Sequence, residues 1–331
     1  MQIALVGEAW GADEERERKP FVGASGRLLN AMLAQVGISR KECLVTNVFN
    51  LRPYRNDVKT LCGPKAEGIP GLPPLAPGKY VKAEYGGEIL RLHDELRKAK
   101  PNVIVALGAS AAWATLGTSG IRKIRGAAAP SPFGKVLPTY HPAAVLREWT
   151  LRPILLADLM KARREAEYPE VRRPEREIWI DPTLEDLFRF EREHIAPSRD
   201  LSIDIETTAD SITCIGFAPT PWVALVVPFF DPRKPDGNYW RTAQEERTAW
   251  DWVKRICGLR KRIVFQNGLY DMHFLWRTMG ITVPYAEDDT MLLHHALQPE
   301  LEKGLGFLGS IYTDEASWKF MRKTNTVKRE D

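Results

Sequence analysis

A chain of 331 residues, 44% hydrophobic and 27% charged, is long enough for two globular domains and too apolar for global disorder. No apolar run approaches the ~20 residues that a membrane helix needs, so no helical span is expected; the scattered cysteines lead to the expectation of a reducing, cytoplasmic setting. The net charge of +4 is unevenly spread: residues 1–165 hold 25 Lys and Arg against 15 Asp and Glu, and the remainder 22 against 28. A basic first half suits a polyanionic partner, and an acidic second half suits carboxylates gathered around cations; uneven chance is the plain alternative. The four cysteines, Cys43, Cys62, Cys214 and Cys257, are scattered with no C-x-x-C pair, which argues against a disulfide framework or a zinc site.

The first strand is expected at Ile3–Val6, which leaves the expectation of no leader peptide. It runs into "GEAWGADEERERKPFVGASGRLL", two glycines around a glutamate, a charge-dense stretch and Pro20-Phe21-Val22-Gly23. Leu28, Leu29, Met32, Leu33 and Val36 then recur at helical spacing until Gly37. Leu44–Val48 reads as a second strand, and the Pro- and Gly-rich residues 53–87 as a long loop. A helix around Glu88–Lys100 leads into "PNVIVALGASAAWATLG", a buried strand, a glycine turn and a helix, and "KVLPTYHPAAVLR" gives a further strand end and turn. Near-continuous apolar strands alternating with helices predict a parallel sheet covered on both faces, with ligands beyond the C-terminal strand ends. Gly7–Gly11, Asn47, Gly108 and His141 all fall there.

"GEAWGADEE", "KPFVGASGRLL", Thr46-Asn47, "VALGASAA" and "TYHPAAVLR" occur in this order at successive strand ends. The constellation resembles the uracil-DNA glycosylase superfamily, in particular its bacterial and phage branch with a Gly-Glu-Ala-Pro-Gly first motif, over roughly residues 1–160. The resemblance implies a base flipped out of the stack into a tight pocket. Phe21 would stack on the uracil ring, the strand end at Gly7 and Ala9 would line the pocket, and Asn47 would pair with the polar edge of the base. His141, neutral and donating, would stabilise the departing anion. A carboxylate near the sugar would position water, and Glu8 or Glu14 could do so; Glu14 is favoured for water and Glu8 for shaping the pocket. Leu146 could wedge into the vacated stack and Arg147 could hold a phosphate. Taken singly, each residue has a plainer role: Glu14 as surface charge, Phe21 as core, Asn47 and His141 as turn residues. Trp10 departs from the family pattern where Pro is usual. Many relatives carry a four-cysteine iron–sulfur cluster, but Leu51 stands where one cysteine would be, so none is expected here. The loop lacks the Arg-rich, His-bearing stretch of covalently trapping relatives, so ordinary hydrolysis is expected.

Residues 160–177, "MKARREAEYPEVRRPERE", read as a helix end and then a linker. Beyond it "EIWID" is a strand, Leu184–Glu193 a helix, and "LSIDIET", "TCIGFA" and "ALVVPFF" three consecutive strands. A helix Ala249–Cys257, the strand "RIVFQN" and helices near Tyr270–Met279 and Thr290–Leu297 follow. "LSIDIET" places Asp204 and Glu206 on one strand face, ~7 Å apart, where they repel unless cations neutralise them; a solvated strand face is the plainer alternative. With Asp271 in "VFQNGLYDMHFL", and "DDTMLLHHAL" and "KGLGFLGSIYTDE" beyond, this half resembles the proofreading 3′–5′ exonucleases attached to bacterial DNA polymerase I, an RNase H-like fold. The resemblance implies Mg2+ or Mn2+ held by Asp204, Glu206 and Asp271. The family's last motif, Tyr-x-x-x-Asp, is missing after Tyr312, so weak or absent nuclease activity is expected. Asp288 or Asp289 could substitute, or could cap the next helix.

The expected architecture is α/β: a three-layer parallel-sheet glycosylase domain at residues 1–165, a linker at 166–177, and a mixed α/β, RNase H-like, incomplete exonuclease domain at 178–331. The expected function is excision of uracil from DNA, with DNA as partner and a DNA polymerase as a candidate second one. The alternative is a uracil-sensing DNA-binding module of a phage or bacterial replisome with little catalysis.

Overall fold

The computed structural model describes residues 2–315 except Ser119 and Ala209. The chain forms two compact units: Met1–Arg172 together with the segment from Gly306, and Arg173–Leu305.

In the first unit β1 (Ile3–Ala9) is followed by α1 (Ala12–Glu17), α2 (Ala24–Gln35) and β2 (Leu44–Phe49). The long loop carries a two-stranded ribbon, β3 (Cys62–Gly63) with β4 (Tyr80–Val81), before α3 (Gly86–Ala99). Then come β5 (Val103–Leu107), α4 (Ala109–Leu116), α5 (Ile121–Ile124), β6 (Ala129–Ser131), β7 (Gly134–Thr139), α6 (Pro142–Arg147) and α7 (Arg152–Glu165). The sheet order is β2-β1-β5-β7-β6, parallel throughout except for the edge strand β6. Alternation splits each strand between two cores. Ala4, Val6, Ile104 and Ala106 pack with Ile89, Leu92 and Leu96 of α3, while Leu5, Val103, Val105 and Leu107 pack with Leu29, Met32 and Leu33 of α2 and Leu155 and Leu159 of α7. These are the expected three layers. α3 opens on Gly86-Gly87, costing about 1 kcal/mol each relative to Ala. Burial of Ile89, Leu92 and Leu96, worth roughly 2 kcal/mol apiece, outweighs that cost.

The charge-dense stretch after Gly11 forms the short helix α1. Asp13, Glu14 and Glu15 lie in the first turn of α1, where acids meet the positive helix end, and Glu14 is buried. Two other expectations shift. Lys135, fully buried, donates to the Tyr168 and Glu170 carbonyls at 2.9 and 3.0 Å and pairs with Glu165, so the start of the expected linker is fixed to the first unit. The segment from Gly306, expected with the second domain, also belongs to the first unit.

The second unit contains β8 (Glu177–Trp179), α8 (Leu184–Phe190), β9 (Asp200–Thr207), β10 (Ile212–Thr220), β11 (Val223–Pro228), α9 (Ala243–Cys257), β12 (Arg262–Phe265), α10 (Gly268–Met279), β13 (Ala286–Asp289) and α11 (Thr290–Leu297). The sheet order is β13-β12-β9-β10-β11-β8. β9, β10 and β11 form an antiparallel meander, and β12 and β13 add in parallel beside β9. This is the mixed α/β arrangement expected. Strict alternation in β9 buries Leu201, Ile203 and Ile205 and exposes Asp204 and Glu206. Asp289 caps α11, accepting from Met291 N at 2.8 Å, whereas Asp288 pairs with Arg262 at 2.5 Å.

Candidate active site

The site is built at the C-terminal ends of β1, β2 and β7. Parallel register sets Gly7 beside Asn47. A Cβ on residue 7 would lie 2.1 Å from Asn47 Oδ1 and 2.5 Å from Phe21 Cζ, so only glycine lets the buried amide and the ring converge there. The main chain of Asn47 is fixed from α3: Arg91 donates to the Asn47 carbonyl at 2.8 Å and pairs with Glu88 and Glu95. Ala9, half-buried, pairs with Phe49 along the same strands.

Phe21 sits in the left-handed region at φ 55°, costly for an aromatic residue and tolerated only where its surroundings over-determine it. Arg40 supplies part of that restraint, donating to the Phe21 carbonyl at 2.9 Å, the Pro20 carbonyl at 2.7 Å and Asn30 Oδ1 at 2.6 Å. Gly26 supplies more, since a Cβ there would meet the Phe21 carbonyl at 2.0 Å. Glu14 supplies the rest: Oε1 accepts from Val22 N at 3.1 Å and Gly23 N at 2.9 Å, and Oε2 from Gly11 N at 3.2 Å. Three backbone donors on one buried carboxylate make it a clamp between two loops, in contrast to the water-positioning role favoured on sequence.

His141 is the N-cap of α6, followed by Pro142 in the first helical turn. Its Nδ1 accepts from Ala143 N at 3.1 Å, which leaves the proton of the neutral ring on Nε2. Its pKa is pushed down to about 4, chiefly by burial and also by Arg147, with Glu14 opposing both. The Phe21 and His141 rings stack with centroids 5.5 Å apart. Glu8, at the end of β1, accepts from Ser110 Oγ at 2.5 Å. Burial raises the Glu8 pKa, the Ser110 bond and Arg147 lower it, and Asp57 raises it. Leu146 is 49% exposed and Arg147 is exposed beside it on the short helix after His141. Trp10 anchors its main chain on the Leu51 carbonyl at 3.1 Å, and its buried indole N–H has no hydrogen-bond partner among the described residues.

Gly7, Phe21, Asn47 and His141 are thus brought together, with Glu14 bracing the loops around them. The sequence pattern of the Uracil DNA glycosylase superfamily matches residues 1–165. The type-4 uracil-DNA glycosylase of Archaeoglobus fulgidus is 35% identical over 48% of this chain and 74% of its own length. Those of Thermotoga maritima (35%, 49% and 76%) and Sulfurisphaera tokodaii (32%, 51% and 72%) are similar to a like degree. The chain belongs to the uracil-DNA glycosylase superfamily. Among solved structures, the Aedes aegypti Nibbler EXO domain (10% identity, TM-score 0.33, covering 46% of this chain and 76% of that one) and Brucella melitensis NrnC bound to pGG (15%, 0.30, 44% and 63%) are distant likenesses.

Within this glycosylase-superfamily unit Arg40, Ser110 and Arg91 were not singled out from sequence. Only the fold shows what they hold: Arg40 and Arg91 lie outside the quoted motifs, and Ser110 stands in "VALGASAA" without a role assigned to it there. A four-thiolate cluster does not fit the unit: its sequence supplies Cys43 and Cys62 alone up to residue 172. Their thiols donate to the Ser39 and Val58 carbonyls, and burial raises both pKa values, Cys43 to about 11.

In the second unit Asp204 and Glu206 share the exposed face of β9, and Asp271 lies near them at the start of α10. Asp271 Oδ1 accepts from Ile205 N at 3.0 Å. Burial pushes its pKa up to about 6, against that bond, with Asp204 adding to the rise. Among the described residues no three His, Cys, Asp or Glu side chains are gathered closely enough to hold a metal ion. The donors as placed therefore do not fit a preassembled Mg2+ or Mn2+ site. Among the described residues no helix is long and apolar enough to cross a membrane.

Proposed function

We propose that the first unit removes uracil from DNA by hydrolysing the N-glycosidic bond of a flipped-out deoxyuridine. The observation that carries this is the convergence of Phe21, Asn47 and a neutral His141 on one strand-end cradle around Gly7. Phe21 stacks on the pyrimidine, and the Asn47 amide meets both a donor and an acceptor on its edge. Cytosine reverses that edge and leaves buried groups unpaired, which supplies discrimination.

As the C1′–N1 bond breaks, its electron pair moves to the base and spreads onto the ring carbonyls. The Nε2–H of His141 donates to that developing anion; a neutral ring can do so without transferring its proton. Glu8 faces the positive charge left on the sugar and positions the attacking water, whose proton it takes as the C1′–O bond forms. Glu14 acts one step back, keeping the Phe21 loop and the Gly11 turn in place. Leu146 enters the gap in the stack, and Arg147 meets a flanking phosphate.

The test is uracil release from single- and double-stranded oligonucleotides containing one deoxyuridine, read as alkali-labile abasic sites. Release that is lost in His141→Ala and Glu8→Gln supports the assignment. Binding of such DNA with no release by the wild-type chain would replace it with a sensing module. For the second unit we infer a 3′–5′ exonuclease-like role with weak or no activity in this chain. Digestion of 5′-labelled single strands with Mn2+ at a rate matched by Asp204→Asn would remove these carboxylates from any such role.

A further inference from the structure

A buried polar cluster of the first unit, outside the candidate site, joins two cations to one acid. Arg125, Asp158 and Lys161 are each no more than 3% exposed. Arg125 grips Asp158 with two parallel bonds, Nε to Oδ2 at 2.9 Å and Nη2 to Oδ1 at 2.5 Å. One acid leaves one buried positive charge uncompensated, which costs several kcal/mol unless other acceptors surround it. Those acceptors come from about 150 residues further along the chain. Helix α12 (Leu305–Tyr312) presents its C-terminal end here, where unpaired carbonyls and the negative helix pole attract a cation. Lys161 Nζ donates to the Ser310 carbonyl at 2.7 Å and the Thr313 carbonyl at 2.5 Å, as well as to the Gly126 carbonyl at 2.9 Å. Arg125 Nη1 donates to Ser310 Oγ at 2.6 Å, and Arg164 pairs with Asp314 at 2.8 Å on the surface. Gly126 makes the close approach possible. At φ 81°, a Cβ there would lie 2.6 Å from the Ser310 carbonyl and 3.0 Å from Asp158 Oδ1.

The same acid leads toward the site. Thr139 Oγ1 donates to Asp158 Oδ2 at 2.6 Å, at the last residue of β7 and two residues before His141. The Thr139 carbonyl accepts from Gly108 N at 2.8 Å, and a Cβ on Gly108 would lie 3.1 Å from that of His141. Gly126 N in turn donates to the Pro138 carbonyl at 3.0 Å. An unbroken set of bonds therefore runs from Ser310 through Arg125, Asp158 and Thr139 to the strand end that carries His141.

We propose that residues 306–314 are a positioning strap of the glycosylase unit. They supply the acceptors that solvate the Arg125–Lys161 cluster and thereby hold Asp158 on Thr139 and His141 in its donating orientation. The catalytic consequence rests on the function proposed above; the structural one does not. It also follows that the sequence stretch matching the superfamily, residues 1–165, omits a part of its own polar core.

The test uses the full chain and three variants: Ser310→Ala, Ser310→Thr as the conservative control, and Lys161→Met. Hydrogen exchange is followed by peptide, together with kcat and KM for uracil release. Ser310→Ala is expected to speed exchange at least fivefold in residues 121–126 and 134–141 while leaving residues 24–35 and 86–99 unchanged. It is also expected to lower kcat about tenfold with KM within twofold. Ser310→Thr restores both readouts, and Lys161→Met exceeds the effect of Ser310→Ala. Should Lys161→Met not fold, the two Ser310 variants decide alone. Unchanged exchange at 121–126 and 134–141 in Ser310→Ala overturns the proposal whether or not uracil is released. A wild-type chain that releases no uracil, yet shows the exchange pattern, removes only the functional assignment.

Discussion

The ring of Phe21 stacks on the imidazole of His141 with an interplanar angle of 25°, although 120 residues of chain separate them. Under the proposed function, the contact couples the surface that would stack on the base to the donor that would stabilise its anion, so the two are set as one cradle. It also ties the function of the site to a residue held in a strained backbone conformation.

Phe21→Ala is expected to lower kcat/KM for uracil release about 10- to 100-fold, since stacking of a base on an aromatic ring is worth roughly 1–3 kcal/mol. Arg40→Met should reproduce part of that loss through KM, because the Pro20 and Phe21 carbonyls lose their shared donor. Steady-state kinetics on a single-stranded substrate decide; equal kcat/KM in wild type and Arg40→Met would show that the left-handed turn holds itself.

His141 should stay neutral far below the usual imidazole range. NMR of labelled histidine is expected to show no titration of this ring between pH 7.5 and 5.5, with protonation near pH 4. The linkage has a definite sign. An unfolded chain takes up the proton as pH falls through about 6.5, and the folded chain only near pH 4. Stability therefore declines with falling pH across that window and levels below it. Melts of wild type and His141→Gln at pH 7 and pH 4.5 should show a smaller acid loss in the variant. A ring that titrates above pH 6 contradicts the buried, donating state.

The two glutamates should separate cleanly. Glu8→Gln is expected to reduce kcat by about 10²-fold or more with little change in melting temperature, as for loss of a general base. Glu14→Gln loses charge-assisted bonds to three backbone donors, so its main effects are a lower melting temperature, by roughly 1–3 kcal/mol of stability, and a higher KM. Thermal melts beside kinetics distinguish them; the reverse pattern would return the water to Glu14.

Gly7→Ala should remove uracil release almost completely while the chain still folds, because the added methyl displaces the Asn47 amide or the Phe21 ring at the edge of the core. Asn47→Asp keeps the shape but offers only acceptors, so it should also fail on uracil. Retention of more than a tenth of wild-type kcat/KM in Gly7→Ala would place the base elsewhere.

Replacing both Cys43 and Cys62 by serine should leave uracil release within twofold of wild type, since their thiols are bonded to local carbonyls and face no common point in the chemistry described. Loss of activity together with loss of a visible absorption band would reveal a cluster shared with further thiols.

Much was legible in the sequence because it is written in short range. Apolar runs, alternation and helical spacing marked the central strands of both sheets and the longer helices, while short elements such as α1, β6 and β13 carried no such signal. The ordered appearance of Gly7, Asn47, Gly108 and His141 at strand ends marked the edge at which they gather, since a parallel sheet brings all its C-terminal ends to one edge. Alternation placed Asp204 and Glu206 on one face of β9 without need of coordinates.

Other features were decided only by the tertiary structure. Whether Glu14 activates water or braces loops depends on the Val22 and Gly23 N–H groups that the fold brings to it, beyond the local capping bond from Gly11. The left-handed Phe21 depends on Arg40, 19 residues later, and the membership of residues 306–314 in the first unit depends on Arg125 and Lys161. The physical reason is common to all three. Apolar periodicity is a property of neighbours along the chain, whereas the satisfaction of a buried charge or a strained carbonyl is settled by whichever distant group the fold delivers to it.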